Sequence, residues 1–175
     1  MAGRAENGEK MSEPKWLSTA EQQAWRAFLA GSAWLQEALN NDLEEENDLS
    51  LNEYEILVRL SEAPERRVRM SVLAEHLVHS RSRLTHTIAR MQRQGWVDRA
   101  PCAEDGRGVE AVLTDRGYET LVAAAPGHVA SVRRHLVDVL TPEQMAALGE
   151  IFATVAARLH PQAPEVLTVT EAAGS

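Results

Sequence analysis

Apolar residues recur at the three- and four-residue spacing of an amphipathic helix over most of the chain, and only between residues 96 and 113 does the period shorten toward that of a strand. Ahead of the first periodic stretch, residues 1–17 are polar and aperiodic, which predicts a flexible arm. Ser18 and Glu21 then form a capping box, in which hydroxyl and carboxylate satisfy orphan backbone donors reciprocally. A long helix is expected from there to about Asn40 or a few residues beyond. It carries two apolar stripes, one of Trp25, Phe28, Leu29, Leu35, Leu39 and Leu43, the other of Ala20, Ala24, Ala27, Trp34 and Ala38. A surface helix needs one stripe, so a second implies burial against a second partner and hints at a subunit interface.

A second capping box, Ser50 with Glu53, opens a helix through Ile56, Leu57, Val58 and Leu60 that Pro64 ends, with Leu49 and Tyr54 at the positions of a hydrophobic staple. A short helix is expected over roughly Ser71 to Val78. Next, Ser80 is a good N-cap and Gly95 a good residue to end a helix. Between them Leu84, Ile88 and Met91 fall on one stripe, Ser82, His86, Ala89, Arg90 and Arg93 lie opposite, and Arg83 and Thr85 flank. Trp96 to Ala100 and Val109 to Leu113 read as the strands of a hairpin turned by Pro101, Gly106 and Gly108. Thr114 caps a further helix, expected to be interrupted or bent near Pro126-Gly127. Thr141, Pro142 and Gln144 start a last one with the stripe Met145, Leu148, Phe152, Val155 and Leu159, a spacing suited to a helix–helix seam. Residues 161–175 lose the period and are expected to be a mobile tail.

Charge changes how this pattern is read. The 175-residue chain carries a net −8, which taken alone argues against a nucleic-acid partner. Its distribution argues the other way: residues 66–93 hold 7 arginines and one acid, whereas residues 1–65 hold 5 bases and 14 acids. An arginine island in an acidic chain is a footprint for an anion such as a phosphate backbone, and Arg66, Arg67 and Arg69 are candidate phosphate contacts from charge alone. The short helix, a tight turn at His79-Ser80, the basic helix and the hairpin together make a winged helix-turn-helix. An apolar back lets such a helix project rigidly into a major groove, where the arginine fork matches guanine. The fold class is therefore mainly α with a small β-wing. Residues 18–160 form the folded region: about 45–113 the DNA-binding lobe, 18–44 and 114–160 a helical dimerisation region.

Two stretches of this region resemble the MarR family of bacterial transcription regulators. One runs from Leu77 to Arg99 and closes on Gly95, Trp96, Val97 and Arg99. The other is the wing, Asp105-Gly106-Arg107 followed by Leu113-Thr114-Asp115-Arg116-Gly117. The resemblance implies a homodimer, mostly repressing, that binds pseudo-palindromic double-stranded DNA. It also implies modulation by a small effector, often aromatic and anionic. Carried over by position, it places Arg81, Ser82, Arg83, Thr85, His86 and Arg90 on the groove-facing part of the recognition helix. Arg107 falls at the wing tip, with Asp105 as its orienting acid.

Other chemistry is thin. No phosphate-binding glycine loop, His-Glu-x-x-His or nucleophile elbow is present, so no enzyme, catalytic residue or cofactor is expected. Cys102 stands alone among nearby acids, which disfavours a thiolate, although an oxidant sensor built on it is an alternative. The pairs His76/His79 and His128/His135 lack the further ligands of a metal site, and none is expected. Trp16, Trp25, Trp34 and Tyr54 suit an aromatic ligand pocket or core packing equally. No apolar run spans a bilayer and no secretory signal opens the chain, so the expected location is the cytoplasm. A winged helix that docks an acidic protein partner is the remaining alternative.

Overall fold

A computed structural model describes residues 14–77, 80–102 and 108–160, with the side chains of His76 and Arg81 outside the description. Residues 1–13 of the expected arm, the tail, the turn at His79 and the wing tip Asp105-Gly106-Arg107 lie outside the described residues. The capping boxes all form. Glu21 accepts from the Ser18 amide at 2.7 Å, Glu53 from that of Ser50 at 3.1 Å and Gln144 from that of Thr141 at 2.9 Å. They start α1 (Thr19–Asn47), α2 (Leu51–Glu62) and α6 (Pro142–Leu159). Between these lie β1 (Arg67–Arg69), α3 (Met70–His76), α4 (Arg81–Arg93), β2 (Val97–Pro101), β3 (Val109–Leu113) and α5 (Asp115–Val132).

The chain divides into two units, one up to Trp34 and one from Leu35 onward. The first contains the opening half of α1, where Trp25 stacks on Phe28 at 5.6 Å between ring centroids. Its large apolar side chains are exposed, from 42 % at Phe28 to 83 % at Trp16. The second contains the core, built from Leu43, Leu49, Ile56, Leu57, Leu60, Leu73, Leu84, Ile88, Met91, Val97, Leu113 and Leu121. Among the described residues the sheet has three antiparallel strands in the order β1-β3-β2. Val97 pairs with Leu113 and Pro101 with Val109, while Arg67 pairs with Val112 on the other side of β3.

Three expectations change. The hairpin gains β1 as a third strand, a three-residue segment too short to show a period. The helix α1 runs on to Asn47, and Asn40 lies within it, its side-chain oxygen accepting the Leu51 amide at 3.1 Å. Of the interruption or bend expected near Pro126-Gly127, the interruption is not present, and α5 continues through Pro126. The departure from α geometry comes later, as a wider π turn over Arg133–Val137. That turn adjoins Asp42 of α1, which accepts from the buried Ser131 hydroxyl and from Arg134 at 2.7 Å and lies 3.0 Å from His135. The Ser131 hydrogen bond above all holds the Asp42 pKa below the ordinary carboxylate range.

Tyr54 and His128 bring α2 and α5 together, their ring centroids 4.3 Å apart. Burial pushes the His128 pKa below its ordinary value of 6.5, and its Nδ1 is buried without a hydrogen bond among the described residues. The unfolded chain therefore takes up a proton on this residue before the folded one does. Its contribution to stability is complete above the ordinary histidine pKa and is lost as the pH falls through and below that value. Thermal midpoints measured across this range should fall for the wild type and fall less for His128→Phe. Equal declines would show that the loss lies elsewhere.

Candidate nucleic-acid interface

The helix α4 is buried along its back and exposed along its front. Leu84, Ile88 and Met91 are exposed by 1 % or less, so the expected stripe is the buried one. Ser80 caps the start, accepting from the Arg83 amide at 3.3 Å. At the far end the Trp96 amide reaches the Met91 carbonyl at 3.0 Å and the Gly95 amide that of Gln92 at 3.0 Å, around a left-handed Gly95 with φ of +74°. Ser82, Arg83, Thr85 and His86 are exposed along the front.

The next lock is a single backbone carbonyl. Trp96 O accepts from the Thr114 amide at 3.1 Å and lies 3.1 Å from the Thr114 hydroxyl, which also donates to Gly95 O at 2.7 Å. The same hydroxyl oxygen accepts the Gly117 amide at 3.0 Å and so caps α5. A Cβ on Gly117 would lie 2.1 Å from Trp96 O. The Leu-Thr-x-x-Gly wing signature is thus a joint between the end of α4, the last residue of β3 and the start of α5. Arg99 on β2 adds a brace, donating from Nη2 to the Thr85 carbonyl at 2.9 Å.

Ion pairs sort the arginines. Arg66 lies over the Tyr118 ring at 4.0 Å and 3.4 Å from Asp115. Arg67 is 3.5 Å from both Glu65 and Glu110. Both are thereby engaged within the fold, which weakens their reading as phosphate contacts. Arg90 is also drawn inward. Its Nε donates to Glu53 at 2.6 Å and its Nη2 to Ser50 at 3.0 Å, tying the guanidinium to α2. The guanidinium is thereby engaged within the fold while the side chain stays 52 % exposed. Glu53 is the residue the sequence reading passed over as a cap alone. The signal was its register: residues 53, 56, 57 and 60 share the buried stripe of α2, and a carboxylate on such a stripe needs a cation.

The remaining candidates do not converge on another site. Cys102 is 3 % exposed beside β2, its amide donating to Gly108 O at 2.8 Å, and this burial works against a sensor that oxidants must reach. Tyr54 belongs to the core, whereas Trp16, Trp25 and Trp34 are exposed. Among the described residues no three His, Cys, Asp or Glu side chains gather as a metal would require, and no helix is long and apolar enough to cross a membrane. An open cavity of about 290 Å³ lies between the start of α3, the first turns of α4 and the base of the hairpin, lined by Arg69, Met70, Leu84, Thr85 and Val109 among others.

Comparison with known proteins gives this geometry a setting. A family model described as the MarR family matches residues 47–108. The MarR family transcriptional regulator Sco3205 of Streptomyces coelicolor, solved in complex with DNA, is 45% identical. It superposes with a TM-score of 0.81, covering 86% of this chain and 94% of that one. AbsC, a MarR family transcriptional regulator of the same organism, is also 45% identical, with a TM-score of 0.78 over 85% of this chain and 100% of its own. The HTH-type transcriptional regulator PecS of Dickeya dadantii (strain 3937) is 32% identical over 96 residues. That match spans 54% of this chain and about half (55%) of PecS.

The joint at Trp96 is the feature most exposed to a single substitution. Gly117→Ala should destabilise the fold by about 3 kcal/mol, the upper range for a forced methyl, because the obstacle is backbone. Denaturant titration reads this directly. A loss below about 0.5 kcal/mol would show that α5 shifts freely against Trp96.

Proposed function

The chain belongs to the MarR family, and on that premise we propose that it is a sequence-specific regulator of transcription that binds double-stranded DNA as a dimer. The observation that carries this reading is the exposed side of α4: Arg83, Thr85 and His86 are exposed on a helix whose back is buried. Among the neighbours, Sco3205 was solved with DNA, which supports the same partner here.

In the proposed complex α4 enters the major groove. The guanidinium of Arg83 is planar and can meet two guanine acceptors at once, while Thr85 and His86 make single contacts. Ser82 and Arg81 stand at the N-terminal end of α4, where backbone amides favour a phosphate. Arg107, with Asp105 as its orienting acid, reaches the minor groove from the wing, where negative potential favours arginine. The acidic remainder of the chain repels DNA, so productive encounter is confined to the basic island around residues 66–93.

A second copy would cover the apolar faces left exposed on α1 and α6. Trp25 is 51 % exposed, and on α6 Ile151, Val155 and Leu159 are 58 %, 46 % and 68 % exposed. Such faces in a monomer mark an interaction surface. The proposed division of labour follows: about 45–113 bind DNA, and 18–44 with 114–160 dimerise. Two recognition helices a helical turn apart then read a pseudo-palindromic operator, and occupying it represses. A small, aromatic and anionic effector would act by favouring a dimer of different spacing, to the extent that its affinities for the two differ.

Selection of bound fragments from a randomised duplex pool, followed by salt titration of the recovered sequence, tests this reading. An inverted repeat is expected, with affinity falling steeply as salt rises. Arg83→Ala should cost about 1–3 kcal/mol on that sequence and relax one base position, and Arg107→Ala should weaken binding as well. Sedimentation should give a dimer at the concentrations used. Recovery of no motif, or binding indifferent to both substitutions, would overturn the proposal.

A further inference from the structure

Glu53 lies 37 positions before Arg90 in sequence, yet the two join α2 to α4 at 2.6 Å. The carboxylate is 3 % exposed and each of its oxygens is used. Oε1 accepts from Arg90 Nε at 2.6 Å, and Oε2 accepts from the Ser50 amide at 3.1 Å and the Ser50 hydroxyl at 2.7 Å. Ser50 is saturated in turn: its hydroxyl donates to Glu53 and accepts from Arg90 Nη2 at 3.0 Å and from the Glu53 amide at 3.4 Å. The capping box of α2 is therefore also a socket for a side chain of α4.

We propose that Glu53 is a positioning residue for DNA recognition, acting through Arg90 to set the rotation of α4 about its own axis. Arg90 follows Arg83 by seven residues, two helical turns, so both project from the same side of α4 about 11 Å apart. Fixing the direction of one fixes the direction of the other. Leu84, Ile88 and Met91 hold the back of α4 by close packing, and the Arg90 pair adds a directional link from its outer side. A doubly hydrogen-bonded guanidinium is directional. Arg90, 52 % exposed on its outer side, thus aims the recognition face without belonging to it.

This inference rests on the reading of α4 as the DNA-contacting helix, and the sign of one substitution separates it from simpler accounts. Glu53→Gln removes a negative charge from a protein that binds a polyanion. If Glu53 only repels DNA or restrains a phosphate-binding Arg90, the variant binds every duplex more tightly. If Glu53 only stabilises the fold, the folded variant binds as the wild type does. Positioning predicts a different pattern with two probes, the duplex recovered by selection and a duplex of unrelated sequence. Glu53→Gln should lose roughly tenfold on the selected duplex and nothing on the unrelated one, with the slope of log affinity against log salt unchanged. Arg90→Gln should behave alike, the double substitution should be no worse than either single one, and Arg90→Lys should recover part of the loss.

Circular dichroism confirms that each protein is folded, and Arg90→Lys serves where Glu53→Gln is not. Tighter binding by Glu53→Gln, unchanged discrimination between the duplexes, or a salt slope lowered by about 0.9 in Arg90→Gln would each overturn the proposal. Failure of the wild type to prefer the selected duplex would instead overturn the DNA-binding reading, and this inference with it.

Discussion

The structure turns on one backbone oxygen, that of Trp96. It lies just past the end of α4 and before the hairpin, receives the Thr114 amide, lies 3.1 Å from the Thr114 hydroxyl, and fills the place a side chain at residue 117 would need. Four elements converge there, so none can move without the others. A helix that reads base edges must hold its side chains within a fraction of a hydrogen-bond length, and a joint of backbone groups achieves this better than mobile side chains would. The stripe of Leu84, Ile88 and Met91 supplies adhesion to the core, and the joint at Trp96 fixes where that helix stops.

Electrostatics divides labour in the same region. Seven arginines fall within residues 66–93, and a count of charge alone treats them as equivalent. In the fold they differ. Arg66 and Arg67 brace the sheet and the start of α5 through Asp115, Tyr118, Glu65 and Glu110. Arg90 braces α4 against Glu53. Arg83 is exposed near the start of α4, the end at which a groove-entering helix meets bases. Acids scattered through a DNA-directed surface thus have a structural use: they hold some of the cations in place while others stay available.

Much of this was legible in the sequence because local rules and the global fold agree. Ser18, Ser50, Ser80, Thr114 and Thr141 all cap helices as their spacing implies, and the stripe of α4 is buried as its period implies. What escaped detection was non-local. The strand at Arg67–Arg69 exists only because β3 offers it an edge. The inward turn of Arg90 required knowing that α2 passes beside it, although a carboxylate on the apolar stripe of α2 was a visible sign that some cation must come. For the wing tip at Asp105 and Arg107, the assignment rests on sequence position.

The central claim is that α4 reads bases through the major groove with Arg83 as its principal contact. Methylation interference on the selected duplex tests this most directly, because the methyl group occupies guanine N7, one of the two acceptors an arginine fork requires. The account predicts interference at a guanine in each half of the repeat for the wild type, and its disappearance at those guanines for Arg83→Ala. Interference that persists unchanged in the variant, or is absent at every guanine for the wild type, would contradict it.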